Sequence, residues 1–331
     1  MTNAIRSQPT LAKASISGQQ FHAGVEFPRV YTVNAPASDL PLWLSQVREH
    51  KQEWLAQLSQ HGAILWRGLP LRTDLDFDAF IQAFDLPGFT YAESLSNAVR
   101  RNRTPRVFTA NEAPPSVAIY LHHEMAQTPV YPSSLFFFCE HAAQSGGATP
   151  LCRSDILLQK LEQLLPGFVQ DCATKGVRYA NTMPAEEDLE SGQGRSWRNT
   201  LNVSDRAGAE ARLQKLGYAW QWLDADSLKA TTPVLPAIRQ LADGRRVFFN
   251  QLIAAFRGWQ DQRNDAGKSI RFGDDSPIAA DDMRQVIELG DALSFDLQWQ
   301  TGDVALVDNF LVMHGRRPYA GERRVLASLV A

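Results

Sequence analysis

A chain of 331 residues that is 44% hydrophobic, 21% charged and 10% aromatic can bury a large core, which excludes a disordered tail or a linker. Its formal charge of −3 offers no basic surface for nucleic acid or an anionic membrane, so the expected partner is a small molecule or a group carried by another protein. Cys139, Cys152 and Cys172 are odd in number and too widely spaced for a CxxC pair, which argues against a disulfide framework and for a reducing, cytoplasmic setting.

Residues 1–20 are small and polar, lack the apolar run of a signal peptide, and are expected to be disordered or loosely attached. A single domain is expected from residue 21 to residue 331. Leu42, Trp43, Val47, Trp54, Leu55 and Leu58 recur at helical spacing, and His61-Gly62 supplies a stop. AILWRGLP then reads as a buried strand, and DLDFDAFIQAF as a short helix opened by Thr73 or Asp74. Loop is expected to about Arg106. SLFFFCEHA has the aromatic, apolar run of a central strand, and SDILLQKLEQLLPGFVQDCATKG gives two helical stretches broken at Pro166-Gly167. EEDLESGQGRSWRNT and RGWQDQRNDAGKSIRFGDDSP read as long polar loops, RRVFFNQLIAAF as a strand and DDMRQVIELGDAL as a helix. The last 38 residues read as short strands joined by tight turns. No repeat, coiled-coil run, phosphate-binding glycine loop or serine-hydrolase elbow is present in the sequence.

The chemistry concentrates in YLHHEMAQ, Tyr120 to Gln127. On an extended segment side chains alternate, so His122 and Glu124 share one face and His123 takes the other. An open metal site needs a third donor from elsewhere. Among the remaining histidines, His314 stands apart, because it follows the apolar segment DVALVDNFLVM and precedes the cationic turn GRRPYAGERR. Two histidines and a carboxylate on one face of a metal form the triad that leaves positions open on non-haem Fe(II). An arginine ten residues further on would suit the remote carboxylate of 2-oxoglutarate.

The runs RVFTANEAPPSVAIYLHHEMAQ, PSSLFFFCE, GGATPL, WQDQRNDAGKSIRFGD and GDVALVDNFLVMHGRRPYAGERRVLASL closely resemble the clavaminate synthase-like branch of the TauD/TfdA superfamily, across most of the chain from about Phe21. The resemblance implies a mixed α/β fold with a mainly β core, a double-stranded β-helix or jelly roll with flanking helices. It also implies an oxygenase that uses Fe(II), 2-oxoglutarate and O2. Its H-x-[DE] motif falls on His122 and Glu124 and its distal histidine on His314. The cosubstrate threonine matches Thr149, and the C-terminal arginine matches Arg324, with Arg323 as the alternative if the strand slips by one residue. Asn111, Glu112, Arg195 and Arg317, with Arg316 beside it, are candidate substrate contacts, each also readable as a turn-fixing or solvated residue.

The resemblance implies that decarboxylation of 2-oxoglutarate to succinate and CO2 drives oxidation of an unactivated carbon. Hydroxylation is the leading expectation, and desaturation or ring closure the alternative. Glu124 argues against halogenation, which requires a small residue at that position. The expected substrate is derived from an amino acid, free or tethered to a carrier protein. A non-catalytic metal-binding jelly roll and a zinc hydrolase are the rivals from other classes.

Overall fold

The computed structural model describes residues 10–33, 40–90, 100–188, 195–259 and 263–331. Parts of four expectations lie outside these residues: the first nine positions, 91–99 of the loop expected to about Arg106, 189–194 of the first polar stretch and 260–262 of the second.

Two sheets face each other. The larger runs in the order Leu11–Ala14, Arg29–Val33, Ala63–Arg67, Val304–Asp308, Ser134–His141, Arg324–Val330 and Gly88–Phe89, with Phe108–Thr109 also paired to Arg324–Val330. The smaller runs Phe295–Leu297, Thr149–Arg153, Val312–Arg316 and Ile119–His122. Neighbours are antiparallel apart from Arg29–Val33 on Ala63–Arg67. Strand alternation divides the apolar residues between two environments. Leu135, Phe137 and Cys139 point between the sheets, where they meet Leu151, Leu297, Val325 and Ala327. Phe136 and Phe138 point outward, under the helices Leu40–His61 and Asp74–Ala83. The smaller sheet is covered in the same way: Leu121, Cys152 and Met313 pack against side chains of Ser154–Leu164, Pro166–Lys175, Leu252–Gly258 and Ala280–Ala292. Both sheets are therefore covered on their outer faces by helices, and their inner faces meet in the space between them.

Local sequence accounts for the covering helices. Leu40–His61 presents Trp43, Val47, Trp54 and Leu58 on one stripe and stops at Gly62, whose φ is +77°. Thr73 caps the next helix with a reciprocal bond to Asp76. Trp54, Trp66, Phe80, Phe84 and Phe136 then form a chain of tilted and edge-on rings with centroids 5.0 to 6.4 Å apart. Such pairs add about 0.5–1.5 kcal/mol each beyond burial. The three cysteines are buried and free, and burial pushes the thiols of Cys139 and Cys152 up to about 12.

Three expectations change. Ordered chain begins before residue 21, because Leu11–Ala14 pairs with Arg29–Val33. RRVFFNQLIAAF is a strand only at Arg246–Val247 and turns helical at Leu252–Gly258. The two polar stretches contribute structure of their own, the helix Trp197–Leu201 and the strand Ile270–Phe272, and the latter joins Val177–Met183, Leu228–Thr231 and Ala219–Trp222 in a further sheet. Among the described residues no helix is long and apolar enough to cross a membrane.

Candidate metal centre and cosubstrate pocket

His122 ends the strand Ile119–His122, and His314 lies at the centre of Val312–Arg316, directly opposite it in register. Cross-strand partners on one face are close neighbours, and the two imidazole centroids are 4.4 Å apart. Gly315 permits the approach, since a Cβ there would lie 2.4 Å from the Ile119 carbonyl oxygen.

Glu124 reaches the same point by another route. The strand has ended, and the chain enters a turn in which Met125 adopts a left-handed φ of +60°. Asn309, fully buried, holds this turn from the far side. Its carbonyl oxygen accepts from the Glu124 N–H at 2.7 Å, and its amide donates to the carbonyls of Glu124 at 3.0 Å and Pro132 at 2.8 Å. The alternation expected for His122, His123 and Glu124 thus holds in outcome, but Asn309 rather than strand pleating sets the last step.

One ligand atom from each of His122, Glu124 and His314 lies within 4.8 Å of the others. Both histidine Nε2 atoms face the same carboxylate oxygen, at 3.7 and 3.5 Å. His122 Nδ1 is 2.8 Å from the Tyr120 carbonyl, so the N–H sits there and Nε2 keeps its lone pair for a metal. Burial works to raise the Glu124 pKa, but Arg100 and the two histidines outweigh it and hold the carboxyl well below its usual range. Burial, then the charge of His122, pushes His314 down to about 4. At neutral pH the site therefore offers a carboxylate, a neutral His314 imidazole and the Nε2 lone pair of His122, the donor set that suits a divalent first-row metal.

His123 is placed elsewhere. It is fully buried, with Nδ1 2.5 Å from the Asn309 carbonyl and Nε2 3.1 Å from that of Phe248. A neutral ring can donate only one of these, and burial pushes the pKa down to about 3.

The three ligand residues line a cavity of about 180 Å³ together with Arg100, Phe137, Thr149, Gln251, Trp259, Arg316 and Arg323. The Thr149 hydroxyl accepts from the Trp299 indole N–H at 2.9 Å, which leaves its own hydrogen to donate into the cavity. Arg323 donates to the Gly147 carbonyl at 3.1 Å, and a Cβ on Gly147 would lie 3.0 Å from the arginine side chain. Among the described residues no carboxylate pairs with Arg323. Burial, with Arg316 nearby, pushes its pKa down to about 10. A buried guanidinium so placed favours an incoming carboxylate.

Arg324, the expected cosubstrate residue, is outside the cavity. Its side chain is 50% exposed and pairs with Glu140 at 3.5 Å and Glu322 at 3.1 Å. Arg323 lines the cavity together with Val325, two residues further along, while the pairing with Ser134–His141 shifts register between Arg324 and Val325 and the Arg324 side chain meets Glu140 and Glu322.

The substrate candidates scatter. Asn111 lines the cavity, but its side-chain oxygen accepts from Ala113 N at 2.9 Å and fixes the proline-rich turn. Glu112 pairs with Arg101 at 2.9 Å, and Arg317 with Asp296 at 2.9 Å, both away from the cavity wall. Arg195 donates to the Asn199 carbonyl at 3.2 Å and is not part of that wall. Arg316 is not a surface residue. It is 4% exposed, and its two terminal nitrogens donate to the carbonyls of Asn111, Ala113, Pro114 and Val117 at 2.7 to 3.1 Å, tying that loop over the cavity. The sequence reading passed over Arg100 and Asn309. The one signal for Arg100 was the cation-rich run RRNRTPR, and for Asn309 the polar pair Asp308-Asn309 between two apolar strands.

Comparison with known proteins agrees with this geometry. The chain is 36% identical over 325 residues to a clavaminate synthase-like protein of Arabidopsis thaliana, covering 96% of this chain and 98% of the relative. It is 27% identical over 289 residues to the dapdiamide synthesis protein DdaC of Enterobacter agglomerans, covering 82% and 83%. A crystal structure of asparagine oxygenase with Fe(II), 2S,3S-3-hydroxyasparagine and succinate shares the fold, with a TM-score of 0.54 at 13% identity over 88% of this chain and 81% of that one. The sequence profile of the family described as taurine catabolism dioxygenase TauD, TfdA family matches residues 27–329. The chain belongs to the TauD, TfdA family and is an Fe(II)- and 2-oxoglutarate-dependent dioxygenase.

Proposed function

We propose that His122, Glu124 and His314 hold the iron, that Thr149 and Arg323 receive the distal carboxylate of 2-oxoglutarate, and that the enzyme hydroxylates an unactivated carbon of a small amino-acid-derived substrate, free or carrier-borne. The two facing sheets are read as the double-stranded β-helix that carries such sites. The observation that supports this most strongly is the convergence of the three donors and the buried, carboxylate-free guanidinium of Arg323 on one cavity. Bound iron with 2-oxoglutarate and O2 supplies an oxidant for an inert C–H bond. The protein's part is positional. The Tyr120 carbonyl fixes the His122 tautomer, Asn309 fixes the Glu124 turn, and the Thr149 hydroxyl and Arg323 clamp one end of the cosubstrate. Arg100, held 3.4 Å from Glu124, places a second guanidinium where a substrate carboxylate can meet it.

Anaerobic titration of the Fe(II) protein with 2-oxoglutarate tests the reading. A weak visible charge-transfer band should grow to saturation and be lost in His122→Ala. Absence of the band in the wild type, or its persistence in that variant, would refute the assignment.

A further inference from the structure

The cavity that holds the three donors has a neighbour with which it shares two wall residues. Gln127 and Trp259 also line a second, smaller chamber of about 40 Å³, bounded by Asn181, Thr200, Tyr218 and Thr232. One water needs roughly 10–15 Å³ measured this way. The chamber thus has room for a group of about three heavy atoms.

Its polar atoms are unusual. Thr200 is 6% exposed, yet its hydroxyl has no hydrogen-bond partner among the described residues. A threonine in a helix can turn its hydroxyl onto the carbonyl four residues back, and the Ser196 carbonyl is there, accepting from the Thr200 backbone N–H. The hydroxyl does not take that bond. Gln127, from the turn that follows Glu124, also buries its side-chain oxygen without a partner. Buried polar groups are nearly always satisfied, so two unsatisfied ones in the wall of one small chamber call for a ligand. Among the described residues no Asp, Glu, Lys or Arg lines the chamber. An ionised group entering it would lose its hydration without gaining a counter-charge.

We propose that this chamber receives an uncharged, hydrogen-bonding end group of the substrate, and that a carboxamide is its fitting chemistry. The group would donate N–H to Gln127 and exchange a hydrogen bond with the Thr200 hydroxyl. The size matches, and so does the combination of donor and acceptor. Thr200 and Gln127 are then specificity residues, and Thr200 is not part of the wall that carries the three donors and Arg323. The inference rests on the functional reading above and narrows its substrate class to molecules with a neutral amide end.

The test uses the holoenzyme, loaded anaerobically with Fe(II) and 2-oxoglutarate, and reads the perturbation of the charge-transfer band by matched probes: L-asparagine against L-aspartate and L-glutamine against L-glutamate. At least one amide should perturb the band at a concentration tenfold or more below its acid partner. Thr200→Val, which keeps the shape and removes the hydroxyl, should raise the half-saturating amide concentration about tenfold and leave that for 2-oxoglutarate unchanged. Acids binding as well as amides, or no amide binding, would overturn the proposal. So would unchanged amide binding in Thr200→Val, which would mean that the chamber holds ordered water only. Loss of the 2-oxoglutarate band in the wild type would bring down the metal assignment as well, so the two failures are told apart by which titration fails.

Discussion

Replacing Arg323 with Met should weaken cosubstrate binding and strengthen the fold at once. The guanidinium is partly buried and pairs with no carboxylate among the described residues, and its pKa falls to about 10 because burial and the neighbouring Arg316 disfavour the charge. Relative to an ordinary arginine this is a cost of the order of 3 kcal/mol to the free protein. The sign is that of a cation with a depressed folded-state pKa. The residue is charged in both folded and unfolded states at neutral pH, so the cost is present there and is relieved only as the pH rises toward the ordinary arginine value. Methionine keeps the aliphatic stem but gives up the bond to Gly147 and the contact with the Tyr319 ring, so a net gain of about 1–2 kcal/mol, a few degrees in melting temperature, is expected. The distal carboxylate of 2-oxoglutarate would lose a desolvated charge-assisted pair. At about 3 kcal/mol this is a roughly 150-fold rise in dissociation constant. Arg324→Met is the control: its side chain is half exposed, pairs of that kind contribute under about 1 kcal/mol, and the dissociation constant should stay within about twofold. Anaerobic titration of the charge-transfer band and thermal melts of the metal-free proteins measure both quantities. If Arg324→Met weakens 2-oxoglutarate more than Arg323→Met, or if Arg323→Met binds it normally, the assignment of the inward face of this strand is wrong.

Two further substitutions separate metal binding from scaffolding. His122→Ala should lose stoichiometric iron with little change in fold. His123→Ala should keep iron and lose about 2–4 kcal/mol of stability, because it empties a fully buried site and unpairs the Asn309 carbonyl. Metal analysis and urea unfolding report the two effects, and a His123→Ala protein that folds without binding iron would contradict the placement. Asp308→Asn should stabilise the protein by about 1–2 kcal/mol at pH 7.5, since burial raises the carboxyl to about 6 and the replacement keeps an oxygen for the N–H groups of Phe310 and Leu311. A raised folded-state pKa means that the wild type recovers this stability as the pH falls through 6. The gain should therefore shrink by pH 5, and a gain independent of pH in urea midpoints would refute it.

The sequence made some features readable because one physical signal stood alone. The stripe of Trp43, Val47, Trp54 and Leu58 had a single solution, and so did the stop at Gly62. Other features were hidden by burial on both sides. On Arg324–Val330 the inward residues Val325, Ala327 and Leu329 and the outward residues Leu326 and Val330 are alike apolar, because helices cover the outer face. Alternation carries no information in such a strand, and Arg323 could not be told from Arg324. Leu252–Gly258 misled for the same reason: Leu252, Ile253 and Ala255 are all buried in one core, and a helix apolar on most sides resembles a buried strand. The substrate candidates failed differently. Asn111, Glu112 and Arg317 are polar residues near the site in sequence, but each finds a partner within a few ångströms that sequence order does not reveal.

Asn309 and His123 show why the metal ligands alone give an incomplete account of the site. The ligand motif places a histidine between His122 and Glu124 whose ring turns away from the metal and grips the backbone of Asn309, and the Asn309 side chain in turn grips the backbone of Glu124. The loop is closed by hydrogen bonds across 185 residues of sequence, and every member of it is neutral. With His122 oriented by the Tyr120 carbonyl and His314 by its strand register, the three donors are positioned by groups whose charge does not vary near neutral pH. Among the described residues charge enters the cavity wall through Glu124 with its partner Arg100, through Arg316 and through Arg323. Neutral groups thus orient the three donors, and the cations of the cavity wall are where an anionic ligand would be met.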